Sequence, residues 1–326
     1  MNALERVKEF VEGSFLKTLL FRKGVTDVSY NGEAVFFEDC LYGRKRSGIQ
    51  VNDEEVGAFL RQIANMCECQ FSYMNPVLDV SFSKYRLNAT FLSIGRVFEQ
   101  KRYSFSLRIG HDGSAVAEDE GFFPKNVKRL LLGAVEKGES VVIAGETGAG
   151  KTELQKFLLM HLPPCTRVIV IDNIGELERC RGDDMLDLTS WKVDERFPDS
   201  SFRALVRNSL RNNPDYLIVA ESRGKEMLDT LSAVMSGHPI ITTLHAKDLF
   251  AVPYRMARMA QNGDPSLAYE DLLGDIYHHF SWMVYVKKGM KDGQTFRRIS
   301  SIGKLNESKR CIDIVYDEES EDETEG

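Results

Sequence analysis

The chain has 326 residues, 43% apolar and 28% charged, an ordinary globular composition with length enough for two cores. No run approaches the roughly 18 apolar residues of a membrane-crossing helix, and Met1-Asn2-Ala3-Leu4-Glu5-Arg6 does not read as a secretory leader. The net charge of −7 originates at residues 317–326, which hold seven acids and no base; without them 42 acids balance 42 bases. A near-neutral body argues against direct nucleic-acid binding, which shows as a basic surplus. The acidic segment 317–326 reads as a solvated, disordered tail, because like charges repel and bury nothing. Of six cysteines only Cys67 and Cys69 lie close, so no zinc site is expected and the thiols read as reduced and cytosolic.

In chain order, Leu4, Val7, Phe10, Val11 and Phe15 recur at helical spacing and predict an amphipathic helix over Leu4 to Leu20. Asn31-Gly32 between the strand-like runs Val25 to Tyr30 and Glu33 to Glu38 predicts a hairpin. Asn52-Asp53 caps a helix with a buried stripe of Val56, Phe59, Leu60 and Ile63. Leu87, Ala89 and Phe91 alternate with Arg86, Asn88 and Thr90, and Phe105, Leu107 and Ile109 with Ser104, Ser106 and Arg108. Residues 1–113 therefore read as a small α+β domain, with a linker over His111 to Gly121.

From there the rhythm becomes helix, strand, helix, strand. Helices are predicted over Pro124 to Glu136, Lys151 to Leu162, Phe202 to Arg211, Lys225 to Met235 and Asp248 to Ala260. Between them lie strands over Ser140 to Ala144, Val168 to Ile171, Tyr216 to Ala220 and Ile240 to Thr243. Helices alternating with buried strands predict an α/β domain over 114–316, with a parallel sheet and its ligand at the carboxyl ends of the strands.

Gly145-Glu146-Thr147-Gly148-Ala149-Gly150-Lys151-Thr152 fits G-x-x-x-x-G-K-[ST], follows a predicted strand and opens a predicted helix. The glycines let successive N–H groups converge on phosphate oxygens, and the helix adds its positive end. Lys151 supplies charge to the β/γ phosphates, and the Thr152 hydroxyl suits Mg²⁺. Downstream, Val168 to Ile171 ends in Asp172-Asn173 with Glu176 beyond. Arg203, Arg207 and Arg211 form one stripe every four residues, Tyr216 to Ala220 ends in Glu221, and His238 and His245 flank Ile240 to Thr243.

In this order and spacing the set resembles the type II/type IV secretion ATPases, hexameric traffic motors of secretion, conjugation and pilus assembly. The resemblance implies a RecA-like P-loop NTPase domain behind a smaller α+β nucleotide-capping domain, with ATP and Mg²⁺ as ligands. It implies that Glu221 orients the attacking water, that Asp172 and Glu176 hold Mg²⁺ or its water shell, and that His238 and His245 sense the γ-phosphate. Arg207 and Arg211 are implied as arginine fingers at a subunit boundary, and Arg86 and Arg108 as phosphate contacts from the capping domain. Partners implied are five further copies of the chain in a homo-hexamer and the inner-membrane components of a secretion or conjugation complex, with the ring cytoplasmic and peripheral at the inner face of the plasma membrane. The chain departs from the family at Asp172-Asn173, where Glu-Asp is usual, at Ala220, where Gly is usual, and at Glu153, where a second Thr is frequent.

The absence of a four-cysteine module and the wording Thr243-Leu244-His245-Ala246 resemble the conjugation and type IV secretion branch, or the related tight-adherence pilus branch. Two alternatives stay open: a RecA-like nucleic-acid translocase, and a nucleotide-switched interaction protein that binds ATP but barely turns it over. His278-His279, on the helix before Trp282, read as structural.

Overall fold

The computed structural model describes residues 3–318 apart from 111–112, 118, 125, 174, 178–179, 181–185 and 196; the expected tail from 319 onward lies outside the described residues. The chain forms two compact units, residues 1–112 with 290–295 and residues 113–289 with 296–326.

The first unit opens with α1 (Ala3–Glu12) and α2 (Lys17–Leu20), so the helix expected through Leu20 is broken. The break has a local cause. Ser14 Oγ donates to the Val11 carbonyl at 2.7 Å and accepts the Leu16 N–H at 3.2 Å, offering the backbone an alternative to the helix ladder. β1 (Val25–Tyr30) and β2 (Val35–Asp39) form the expected hairpin, but through a four-residue loop. Asn31 Oδ1 accepts the N–H groups of Glu33 and Ala34 at 3.1 and 2.9 Å, which delays β2 to Val35. β3 (Gly43–Arg46) and α3 (Asp53–Met66) follow. Asn52 and Glu55 cap α3 reciprocally, at 2.8 and 3.0 Å, satisfying two otherwise orphaned N–H groups. β4 (Val77–Phe82), β5 (Tyr85–Thr90), the short ribbon β6 (Arg96–Val97) and β7 (Gln100–Lys101), and β8 (Ser104–Ile109) complete the unit. The main sheet is antiparallel in the order β3-β2-β1-β8-β5-β4. Leu87, Ala89, Phe105 and Leu107 pack on Val7, Val11, Phe59 and Leu60, and the opposite face carries Arg86 and Arg108.

The second unit is a three-layer α/β sandwich. Its elements are α4 (Val127–Glu136), β9 (Val141–Gly145), α5 (Lys151–Met160), β10 (Arg167–Asp172), β11 (Asp187–Lys192), α6 (Phe202–Ser209) and β12 (Tyr216–Val219). They continue with α7 (Met227–Met235), β13 (Ile240–Leu244), α8 (Ala251–Gly263), α9 (Tyr269–His279), β14 (Trp282–Lys291), β15 (Gln294–Asn306) and β16 (Cys311–Asp317). The sheet runs β11-β10-β12-β13-β9-β14-β15-β16, parallel from β11 to β14 and antiparallel between β15 and β16. Strands covered on both faces need no alternation, which is why β9, β12 and β13 are buried at every residue. Val141, Ile143, Val168, Ile218 and Ile241 face Leu131, Leu154 and Phe157 of α4 and α5. Their neighbours Val142, Ile169, Leu217 and Leu244 face Val206, Leu231, Met256 and Ile276 of α6 to α9.

Two expectations need correction here. Val116 and Phe122, within and beside the expected linker, are buried in the second core, and Ser114 Oγ donates to the Glu153 carbonyl at 2.7 Å. Asp317 closes β16 instead of opening the tail, and Glu318 is buried in an ion pair with Arg298; strand pairing with β15 and a local cation overcome the repulsion expected of the acidic run.

Candidate functional site: a glycine loop at the strand ends

The loop leaves β9 at Gly145 and enters α5 at Lys151. Gly148 and Gly150 adopt φ of 73° and 103°, backbone that side-chain-bearing residues rarely take, and this curls the chain back onto itself. Gly145 has a separate reason to be glycine. A Cβ there would stand 2.3 Å from the Val286 carbonyl oxygen on β14, which pairs with Gly145.

Lys151 points back under the loop and is only 8% exposed. Its Nζ donates to the carbonyls of Gly145 and Glu146, both at 2.9 Å, and lies 3.2 Å from His245 Nδ1. An ammonium has protons only to give, so Nδ1 accepts and a neutral His245 carries its proton on Nε2. That nitrogen stands 3.1 Å from Glu221 Oε1. Arg223 Nη2 donates to the other carboxylate oxygen at 2.7 Å. Lys151, His245, Glu221 and Arg223 thus form one contact chain across the ends of β9, β13 and β12, which are neighbours in the sheet.

The scaffold fixes each end of that chain. The Ser222 N–H donates to the Thr243 carbonyl at 2.8 Å, and Thr243 Oγ1 donates to the Ala220 carbonyl at 2.8 Å, so the turn bearing Glu221 is tied to β13. From α5, the buried Gln155 Nε2 donates to the Val219 and Ile241 carbonyls at 2.8 and 3.1 Å, which fastens the loop's helix under the same two strands. Burial pulls the Lys151 pKa down to about 8, with Glu221 opposing the shift and Arg223 adding to it. Burial also lowers His245, helped by the Lys151 charge, so its neutral form is favoured.

Other expected residues fall elsewhere. Asp172, 2% exposed at the end of β10, accepts the Leu177 N–H at 3.2 Å and shapes the turn after the strand. Glu176 lies near Lys156, whose pKa it helps to raise, five residues beyond Lys151 along α5. Thr152 is half-buried in the first turn of α5, while Glu146 and Thr147 are exposed on the loop and Ala149 is buried beneath it. The structure does not bring His238 to the loop. It precedes β13, bonded to Ser236 Oγ at 3.1 Å, whereas His245 follows that strand, so the two lie at opposite ends.

Arg207 is exposed on α6, near the Asp229 that Arg203 approaches at 3.6 Å. Arg211 is exposed on a 3₁₀ turn over Leu210–Asn212, which takes it out of the α-helical stripe. Arg86 and Arg108 face each other across β5 and β8 in the first unit, held at 3.3 and 3.5 Å by Asp79 and Asp27. His278, expected to be structural, is exposed and bonded to Glu307 at 2.5 Å. Sequence reasoning missed Arg223, although it stands two residues from Glu221, and Arg297, whose Nε donates to the Gly148 carbonyl at 2.8 Å.

Comparison with known proteins places this geometry in a family. The family described as type II/IV secretion system protein matches residues 104–271. An uncharacterised protein of Bacillus anthracis is 27% identical over 298 residues, covering 86% of this chain and 63% of that one. The type IV secretion system protein VirB11 of Brucella abortus is 32% identical over 198 residues, covering 59% of this chain and 54% of that one. The chain therefore spans less than two thirds of the length of these curated relatives. The crystal structure of the Legionella pneumophila ATPase DotB shares the fold, with a TM-score of 0.63 at 19% identity over 94% of this chain and 81% of that one. The family match across half the chain shows that this chain belongs to the type II/IV secretion system protein family.

Proposed function

We propose that this chain hydrolyses ATP and, as a homo-hexameric ring, powers a type IV secretion or conjugation apparatus at the inner face of the plasma membrane. The observation that carries the reading is the contact chain from Lys151 through His245 to Glu221, at 3.2 and 3.1 Å. It sets a phosphate-seeking cation and a carboxylate at the ends of three neighbouring parallel strands, where open α/β sheets bind ligands. Phosphoryl transfer asks for positioning and charge neutralisation more than covalent chemistry. Lys151 already uses three donors within the protein, so phosphate oxygens would replace these partners. Glu221, freed from Arg223, would orient the attacking water and accept its proton. His245 would report loss of the γ-phosphate from one side of the loop to the other.

The residues present fit Mg²⁺, which prefers oxygen ligands: the Thr152 hydroxyl at the start of α5 and the buried Asp172 carboxylate would hold it, Asp172 through water. When bound, the ion neutralises phosphate charge. Arg207 and Arg211, both exposed, suit an arginine-finger role toward a neighbouring copy, and Arg86 and Arg108 a role in nucleotide capping. His238 stands at the end of β13 away from the loop, bonded to Ser236, so within one copy His245 and not His238 would face the γ-phosphate. Steady-state phosphate release from Mg·ATP tests the enzyme directly. Wild type should exceed Lys151→Ala and Glu221→Gln by about a hundredfold or more. Equal rates in all three would end the claim, and tight ATP binding without multiple turnover would favour a nucleotide switch. Native mass spectrometry with Mg·ATP should show six copies.

A further inference from the structure

β14 runs beside β9 with Val286 opposite Gly145, and its alternate residues Val284 and Val286 join the core beneath α5. Two residues further on, Lys288 falls on the same face. The chain turns back at Asp292-Gly293, both with positive φ, into β15, where Ile299 joins that core. Arg297, two residues before Ile299, therefore shares its face. Both cations reach the apex of the glycine loop. Arg297 Nε donates to the Gly148 carbonyl at 2.8 Å, and its Cδ lies 3.9 Å from the point where a side chain on Gly150 would begin. Lys288 Nζ lies 3.8 Å from the corresponding point on Gly148.

We propose that Lys288 and Arg297 form a second cationic wall of the phosphate site, Arg297 as a positioning residue and Lys288 as a direct contact to a polyphosphate. The inference rests on the nucleotide reading above. Lys151 grips the Gly145 and Glu146 carbonyls from one side of the loop, and Arg297 takes the Gly148 carbonyl from the other. The peptide unit is planar, so holding the Gly148 C=O also fixes the plane of the Ala149 N–H, which closes the loop's turn by donating to the Glu146 carbonyl at 3.3 Å, in a stretch where glycine would otherwise let the plane rotate. The bond is charge-assisted, and it preorganises the cradle before ligand arrives. The wall reads phosphate charge and not the base, so its ligand class is nucleoside di- and triphosphates, with inorganic tripolyphosphate as a competitor of the same chemistry.

The test is equilibrium binding of fluorescent ADP and ATP analogues to the full chain at low and high salt, with thermal stability recorded in parallel. Lys288→Gln should weaken ATP about fivefold, ADP less, and flatten the salt dependence. Arg297→Gln should weaken both nucleotides about tenfold, and Arg297→Lys should recover little, because the charge returns without the planar fork. Lys309→Gln, on an exposed turn, should bind as wild type. Tripolyphosphate should compete less well against Lys288→Gln than against wild type. If wild type binds, Lys151→Ala does not, and both Lys288→Gln and Arg297→Gln keep wild-type affinity at both salts, the second wall is overturned while the nucleotide reading stands. If wild type itself fails to bind nucleotide, the nucleotide reading falls and takes the wall with it. Lys288 is half-buried at the hairpin surface, so its variant decides the question even if Arg297→Gln loses stability.

Discussion

Nucleotide affinity should fall as pH rises from about 7.5 to 9, because Lys151 loses its proton in that window. Burial lowers its pKa from 10.5 to about 8. Phosphate beside the ammonium would raise the bound-state value above the free one. The lysine's contribution to affinity is therefore complete below the free value and is lost as pH rises toward the bound value. With a free pKa near 8, about a quarter of chains are deprotonated at pH 7.5 and about nine-tenths at pH 9, so affinity should drop by about eightfold. ADP is the ligand of choice, since its phosphates are fully ionised across the window. His245 is silent there because its pKa is lowered from 6.5. Isothermal titration calorimetry in two buffers of different ionisation enthalpy reads both affinity and protons, and close to one proton should be taken up per ligand at pH 9. Glu221 raises the Lys151 pKa, so Glu221→Gln should move the midpoint below that of wild type. Flat affinity with no proton uptake would refute the buried-lysine account.

Two stability predictions follow from the scaffold. Gly145→Ala sets a Cβ 2.3 Å from the Val286 carbonyl, backbone against backbone, so β9 and β14 must part; a loss of about 2–4 kcal/mol, read as a drop of about 5–10 °C in Tm, is expected. Asn52→Ala removes one half of the α3 capping box and should lower the stability of the first unit by about 1 kcal/mol in chemical denaturation, leaving the loop's ligand affinity unchanged.

Much of this protein is legible along its chain. β9, β12 and β13 announce themselves as short apolar runs because both of their faces are covered, and the loop announces itself because only glycine tolerates its φ values. The capping pair Asn52 and Glu55 is equally local. Where the signal is not local, the reading fails. The helix expected through Leu20 breaks on a side chain's competing bonds at Ser14. Strands β14 to β16 mix polar and apolar residues and are strands because each borrows the hydrogen bonds of a neighbour. His238 and His245 look equivalent in sequence, yet seven residues at about 3.3 Å each set them about 20 Å apart along β13.

By itself, then, the sequence determines the glycine loop, the alternation of helix with buried strand, and the family, since each rests on residue types at fixed spacing. Which side chains meet is a tertiary decision. The sheet order β12-β13-β9 brings Glu221, His245 and Lys151 into one chain of contacts, and the return of β15 lays Arg297 on Gly148. These groups lie between 24 and 149 positions apart in sequence. Only the closing of hydrogen-bonded strands against one another, which no local periodicity encodes, places them within a few ångströms.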